Sequence, residues 1–233
     1  MLNTYIKTIK NIIFPHLCLC CEEKISDGPI CPSCREKITF LYANVCRYCA
    51  RPLDTVTSVC NQCRNKIYPY NRLISATAYQ EPMISLIHLF KYRNYDYLDE
   101  FFSSLIIKHL NSIGFRPFGY DFIIPVPMHK HKLKSRGYNQ AWLLAKLLSN
   151  NFKIPLRDDI INTVNIRPSQ ATLQKQKRQT NVKGVFAARK NLKNKKIILV
   201  DDIFTTGATA MSCCQALLEK QTAEITIITL SKT

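Results

Sequence analysis

Long apolar stretches are missing from this chain. None of its 233 residues falls in a run near the ~18 apolar residues that a membrane-spanning helix needs, so no span is expected. Acidic residues are scarce as well: 16 Asp and Glu stand against 33 Lys and Arg, a formal net charge of +17 at pH 7. A secretory signal is also absent. The opening MLNTYIKTIKNIIFPHLC interrupts its apolar residues with Lys7 and Lys10, whereas Leu2, Ile6, Ile9 and Ile13 recur at roughly helical spacing. A short amphipathic helix is therefore expected there rather than a signal-peptide core. No grouping of residues suggests a Ser/His/Asp or Cys/His triad, which argues against a protein nucleophile. Internal repeats and low-complexity segments are lacking too. These absences leave a globular, cytoplasmic protein as the expectation. Its 46% hydrophobic and 21% charged content suits one or two domains with a sizeable core.

The basic excess is concentrated. Residues 128–196 hold seventeen Lys or Arg against two Asp (Asp158 and Asp159), so this segment supplies fifteen of the seventeen net charges. Such a belt is the footprint expected for polyanions: phosphates, nucleic acid or an acidic surface. A lysine-rich solvated surface is the plainer alternative.

Cysteine is abundant, and it is clustered. Nine of the eleven lie between Cys18 and Cys63, in four C-x-x-C pairs: Cys18/Cys21, Cys31/Cys34, Cys46/Cys49 and Cys60/Cys63. A two-residue gap lets both thiolates of a knuckle reach one tetrahedral metal. Nine residues separate the first two pairs and ten the last two, which suits two tandem ribbons holding two structural zinc ions. A disulfide framework would need an oxidising compartment, and a redox role would need only one pair. Cys20 is the surplus thiol. The spacing leaves open whether the knuckles share metals in sequence or crosswise. Four-thiolate zinc has no open coordination position, so this module is expected to fold and position rather than to catalyse.

Beyond Cys63 the texture becomes mixed. Strands are expected at 71–80, 120–127, 195–202 and 223–232. Helices are expected at 83–92, with Ile84, Ile87, Leu89 and Phe90 inward, at 98–114, at 137–151 with Ala141, Leu144, Ala145 and Leu148 inward, and at 206–220. Cys213 and Cys214 read as small core residues. Alternation of strand and helix implies an α/β fold with a parallel sheet covered on both faces. Residues 167–183, polar and lacking a core-facing pattern, read as a mobile loop.

The stretch IILVDDIFTTGAT (197–209) places Asp201 and Asp202 at the end of an apolar strand, just before a loop that enters a helix. The carboxyl edge of such a sheet is where ligands bind. Thr205, Thr206, Gly207, Ala208 and Thr209 offer hydroxyls and helix-terminal N–H groups to a phosphate. Two acids beside a phosphate cradle make sense if they take sugar hydroxyls, or a magnesium ion shared with other phosphates.

This stretch resembles the 5-phosphoribosyl-1-pyrophosphate (PRPP) motif of type I phosphoribosyltransferases. Within that superfamily the whole chain resembles the ComF family (ComFC/GntX type) of competence and DNA-uptake proteins. The resemblance rests on the cysteine knuckles, LFKYR (89–93), PVPMHKHKLKSRGYNQA (125–141), RPSQATLQKQKRQTNVKGVF (167–186) and the PRPP-like stretch. It implies a type I phosphoribosyltransferase fold over residues 67–233, preceded by a helix and double zinc ribbon over residues 1–66. It further implies that Asp201 and Asp202 take the ribose hydroxyls and that 205–209 hold the 5-phosphate. Pro125, Val126, Pro127 and Met128 would form the pyrophosphate loop, with Arg136 and Gly137 opening the following helix. Lys91 and Arg93 become further pyrophosphate contacts, and 167–183 the closing loop. Magnesium would accompany PRPP.

No purine or pyrimidine pocket is recognisable, so the acceptor stays open; the zinc module is one candidate to cover that side of the site. The leading expectation is a phosphoribosyltransferase-like competence protein that binds PRPP or a related phosphosugar and contacts single-stranded DNA. Tyr68, Tyr70, Tyr92, Tyr95 and Tyr97 are candidates for base stacking, and competence helicase or recombination proteins are possible partners. The alternatives are a metabolic transferase with an unidentified base or amine acceptor, and a non-catalytic zinc-ribbon scaffold.

Overall fold

A computed structural model describes residues 16–233 except 43, 55–56, 94 and 165–184. The expected N-terminal helix and the loop at 167–183 lie outside the described residues.

The first ribbon contains a two-stranded antiparallel pair, β1 (His16–Leu17) and β2 (Lys24–Ile25), and a short helix α1 (Pro32–Glu36). The second carries the short helix α2 (Asn61–Arg64). The main sheet has four parallel strands in the order β3-β8-β7-β4: β3 (Arg72–Ala78), β8 (Glu224–Lys232), β7 (Lys196–Phe204) and β4 (Phe122–Pro125). Between them run α3 (Met83–Tyr92), α4 (Leu98–Ser112), α5 (Lys130–Arg136), α6 (Gln140–Phe152) and α7 (Ala208–Leu218). A small antiparallel ribbon, β5 (Ile161–Thr163) with β6 (Phe186–Ala188), stands apart from the sheet.

Side chains alternate across a strand, and here both faces are buried. Ile74, Ile123, Ile198, Val200, Ile228 and Leu230 pack on one face with Leu86, Phe90, Phe102 and Leu144. Leu73, Ile124, Ile197, Leu199, Ile225 and Ile227 pack on the other with Cys213, Cys214 and Leu217 of α7. This double cover explains why IILV reads as an unbroken apolar run and why even the threonines of ITIITL, Thr226 and Thr229, are buried. The stripe expected on α6 is buried, and Gln140 joins it. On α3 the inward set is Met83, Leu86, Ile87 and Phe90. Ile84 is exposed and Leu89 only half-buried, because packing of Met83, Leu86, Ile87 and Phe90 into the core turns those two toward the rim.

The cysteine-rich module is fused to the sheet rather than strung beside it. Cys18, Ile30, Cys31 and Cys34 share a core with α3 and α4, while Ala50 and Tyr70 join the opposite core. The chain linking the two ribbons follows the outer edge of β3: Leu41 N–H donates to Ala76 O (3.0 Å), Ala78 N–H to Thr39 O (2.9 Å) and Leu73 N–H to Arg47 O (2.8 Å). The other edge, β4, exchanges bonds with 155–157.

Candidate functional site

β7 does not end at the acid pair. It continues as far as Phe204, held by pairing of Asp201 with Thr229 and of Ile203 with Ser231. The carboxylates fold back on their own backbone: Asp201 Oδ1 accepts from Asp202 N–H (2.9 Å) and Asp202 Oδ1 from Ile203 N–H (2.7 Å). Asp202 Oδ2 meets Lys91 Nζ at 2.9 Å, both side chains more than four-fifths buried. Asp201 makes no ion pair among the described residues. Burial, followed by the neighbouring Asp202 charge, pushes its pKa up to about 8.

The loop after β7 is shaped by Gly207, the N-cap of α7, at φ +76°. A Cβ there would lie 2.3 Å from Phe204 Cζ, so both the backbone conformation and the packing require glycine. Thr205, Thr206 and Thr209 are exposed around it. Ala208 N–H donates to Thr206 Oγ1 (3.4 Å). Hydroxyls at the start of an eleven-residue helix form an anion-binding arrangement.

A cleft of about 500 Å³ joins these pieces. It is lined by Asp201, Asp202, Thr205, Thr209, Lys91 and Arg136, with Val126, Pro127 and Met128 forming one wall. Pro125, Gly137, Arg93, Thr206, Gly207 and Ala208 do not line it. Arg93 is an exposed C-cap of α3. Arg136 and Gly137 do not open the following helix: Arg136 closes α5 and Gly137 caps it in the left-handed region, with α6 starting only at Gln140. The sequence shows why, since glycine favours a helix end and Asn139 is a good N-cap.

Asn139 and Gln140 were not singled out from the sequence, although the cap signal of Asn139 was there to be read. The Asn139 carboxamide caps α6 at Ala141 N–H (3.0 Å) and donates to Val126 O (3.0 Å), tying that helix to the wall of the cleft. Arg136 donates to Gln140 Oε1 (3.3 Å) and to the Tyr92 hydroxyl (3.1 Å), and its guanidinium lies 4.8 Å from the Tyr92 ring centre. Gln140 in turn donates to Phe90 O (3.3 Å). One helix, α3, thus carries Lys91 and anchors Arg136, two of the cations that line the cleft.

The cysteine knuckles pair in sequence: Cys18, Cys21, Cys31 and Cys34 form one tetrad and Cys46, Cys49, Cys60 and Cys63 the other, each with its sulfurs within 4.8 Å of one another. A tetrahedral zinc with Zn–S bonds of about 2.3 Å sets its sulfurs about 3.8 Å apart. The Cys21–Cys31 and Cys49–Cys60 separations of 3.6 and 3.8 Å fit it. Cys20 stays outside both tetrads. Burial pushes the Cys18 and Cys46 thiols up, but backbone N–H donors outweigh it and bring them down to about 6 and about 7. Those amides, Cys31 N–H on Cys18 Sγ (3.3 Å) and Cys60 N–H on Cys46 Sγ (3.4 Å), favour thiolate and therefore metal.

Of the candidate stacking tyrosines, Tyr68 and Tyr70 are packing residues. Tyr68 stacks on Tyr48 at 4.6 Å and donates to Cys63 Sγ (3.0 Å), and Tyr70 is buried. Tyr92 and Tyr97 are exposed, and Tyr95 is half-buried beside Tyr97. The second ribbon borders the phosphate loop across a cavity of about 340 Å³, whose walls include Cys49, Cys63 and Tyr68 on one side and Phe204, Thr205 and Thr206 on the other. Among the described residues, no helix is long and apolar enough to cross a membrane.

Comparison with known proteins gives two domain matches. The double zinc ribbon domain family matches residues 9–70, and the phosphoribosyl transferase domain family matches residues 139–232. Competence protein F of Haemophilus influenzae is 27% identical over 94% of this chain and 98% of its own. Competence protein ComFC of Bacillus subtilis is 27% identical over 92% of this chain and 94% of its own. The DNA utilization protein YhgH of Escherichia coli is 26% identical over 94% of this chain and 98% of its own.

Proposed function

The chain belongs to the ComF family, joining a double zinc ribbon to a type I phosphoribosyltransferase fold, and on that premise we propose that its cleft binds PRPP or a related phosphosugar with magnesium in the service of DNA uptake. The observation that carries this reading is the convergence of Asp201, Asp202, Thr205, Thr209, Lys91 and Arg136 on one cleft. The acids take the ribose hydroxyls, and the 205–209 loop takes the 5-phosphate at the start of α7. Lys91 and Arg136 face the pyrophosphate, with Val126, Pro127 and Met128 as the loop beneath it, while Pro125, expected in that loop, ends β4.

Magnesium suits the donor set, two carboxylates beside a polyphosphate, and supplies charge neutralisation on the pyrophosphate when bound. The chain's own contribution is positioning. α3 and α6 hold Arg136 in place before ligand arrives, so little reorganisation of that cation is left for the reacting state. Lys91 must leave Asp202 when a sugar hydroxyl takes its place, and the pyrophosphate is the new partner within the same cleft. Acceptor-dependent release of pyrophosphate distinguishes a working transferase from a binding protein.

Asp201 gives the reading a pH signature. Its folded pKa stands well above the usual carboxylate range, so at neutral pH the empty site holds a proton there. A sugar hydroxyl bonds the ionised carboxylate more strongly than the neutral acid, so ligand binding favours release of that proton. Calorimetry should show magnesium-PRPP binding about tenfold tighter at pH 7.5 than at pH 6.5, levelling off above about pH 8. Affinity flat across this range removes Asp201 from the site.

The DNA half of the proposal places single-stranded DNA in the cytoplasm against the basic belt, where Lys130, Lys132 and Lys134 lie on the exposed α5 beside the cleft. Exposed Tyr92 and Tyr97 offer ring faces for bases. Fluorescence anisotropy with a labelled single strand should show affinity falling at least about tenfold between 50 and 200 mM salt, as release of counterions from several phosphates requires. Salt-insensitive binding, or none, would return the belt to a solvated surface.

A further inference from the structure

Two of the cations lining the cleft, Arg136 and Lys91, are held in opposite ways. Arg136 makes no ion pair among the described residues. Its partners are neutral, namely the Gln140 carboxamide (3.3 Å), the Tyr92 hydroxyl (3.1 Å) and the Tyr92 ring, so its charge stands uncancelled. Lys91 has the reverse arrangement. Its ammonium lies 2.9 Å from Asp202 Oδ2, the two side chains being 18% and 13% exposed. Both residues line the cleft, so a ligand entering it reaches the pair.

A change of partner by Lys91 needs only its side chain to move. Lys91 stands one residue before the end of α3, and that turn is clamped. Phe90 O accepts from the Tyr138 hydroxyl (2.5 Å) and from Gln140 Nε2 (3.3 Å), and the buried Phe90 ring packs edge-on against Phe102 at 5.1 Å. The backbone beneath Lys91 is therefore fixed, and a flexible four-carbon stem carries the charge. Asp202 is constrained too. Its Oδ1 accepts from Ile203 N–H (2.7 Å), which leaves Oδ2 as the freer acceptor, and Lys91 holds that oxygen. A ligand that takes Asp202 away from Lys91 strands a cation that is more than four-fifths buried, and breaking one half of such a pair is costly. A second anion within reach of Lys91 removes that cost.

We propose that this ion pair makes the cleft read two groups together: Asp202 accepts a sugar hydroxyl at full strength only when a second anionic group takes Lys91. The inference rests on the phosphosugar reading of the cleft and makes Lys91 its specificity-determining residue. The cleft then selects a sugar phosphate that also carries a diphosphate over one with a single phosphate. A simple diphosphate contact lacks this property, because it adds affinity without changing how the sugar is held.

The test is calorimetry on the full-length, zinc-loaded protein, with ribose 5-phosphate and inorganic pyrophosphate as separate probes. No magnesium is added, so no added metal bridges them. Two anions in one cleft ordinarily oppose each other. Here saturating pyrophosphate should instead tighten ribose 5-phosphate at least about tenfold, and the reverse titration should give the same factor by linkage. Lys91→Met should abolish the gain and Lys91→Arg should keep most of it. Because Lys91→Met leaves Asp202 unpaired, the double variant Lys91→Met with Asp202→Asn removes both charges together and should show no gain either. Equal ribose 5-phosphate affinity with and without pyrophosphate, absence of binding included, overturns the proposal. A gain of the same size in either Lys91→Met variant overturns it as well. Magnesium-PRPP binding by the wild type is measured alongside: its presence without coupling sinks this inference alone, and its absence sinks the phosphosugar reading with it.

Discussion

Replacing both acids, Asp201→Asn with Asp202→Asn, should weaken magnesium-PRPP binding at least about 100-fold while the chain still folds. Each carboxylate accepting a sugar hydroxyl makes a charge-assisted bond worth roughly 1.5–3 kcal/mol, and the two together account for that loss. Stability runs the other way for one of them. Asp201 has a folded pKa of about 8, raised from its ordinary 3.8 chiefly by burial, so the folded state holds a proton that the unfolded chain has released. That difference erodes stability as pH climbs from about 4 to about 8. Asp201→Asn alone should therefore raise the melting temperature at pH 8 as it lowers affinity, which a simple folding defect cannot do. Asp202→Asn leaves Lys91, its partner at 2.9 Å, unpaired, and in the double variant the two effects oppose. Calorimetry and thermal melting on the three variants check all of this, and unchanged PRPP affinity in the double variant would sink the site assignment.

Metal removal should have a still larger effect, on stability. The two tetrads account for two ions per chain, and structural four-thiolate zinc contributes roughly 10–16 kcal/mol in small metallo-domains, as much as a typical domain's whole stability. Chelation should release two equivalents of zinc and make the ribbons protease-sensitive. The two sites should not be equivalent in their effect on the cleft. The first tetrad shares its core with α3 and α4, whereas the second faces Thr205 and Thr206 across a cavity and reaches the sheet through Tyr48, Tyr68 and Tyr70. Cys46→Ser should therefore weaken phosphosugar binding more than Cys18→Ser, with one zinc lost in each case. Equal effects, measured by metal content and calorimetry on the two variants, would mean that the second ribbon does not support the phosphate loop.

Much of this is legible in the sequence alone. The apolar runs of β7 and β8 and the four knuckles carry their structural meaning locally, in residue type and spacing. The acid pair and the TTGAT loop likewise announce themselves within thirteen residues. What escaped is non-local. Whether knuckles pair in sequence or crosswise depends on how the ribbons fold, and spacing is silent on that. Lys91 and Asp202 are 111 positions apart in the chain, and only the packing of α3 against the sheet makes them an ion pair. The rotation of α3 was misjudged because Ile84 and Leu89 are as apolar as the residues that are buried. Arg136 was placed at the wrong end of a helix because a seven-residue helix without buried side chains, α5, has no hydrophobic period to reveal it.

The path of the inter-ribbon chain along β3 has a consequence for handling the protein. Those backbone bonds from Leu41, Thr39 and Arg47 occupy an edge that would otherwise present free N–H and C=O groups to any passing strand. The chain that occupies it is held in place by zinc on both sides. Loss of metal thus uncovers a template for pairing between copies, and demetallated protein is expected to self-associate at concentrations where the zinc-loaded form stays dispersed.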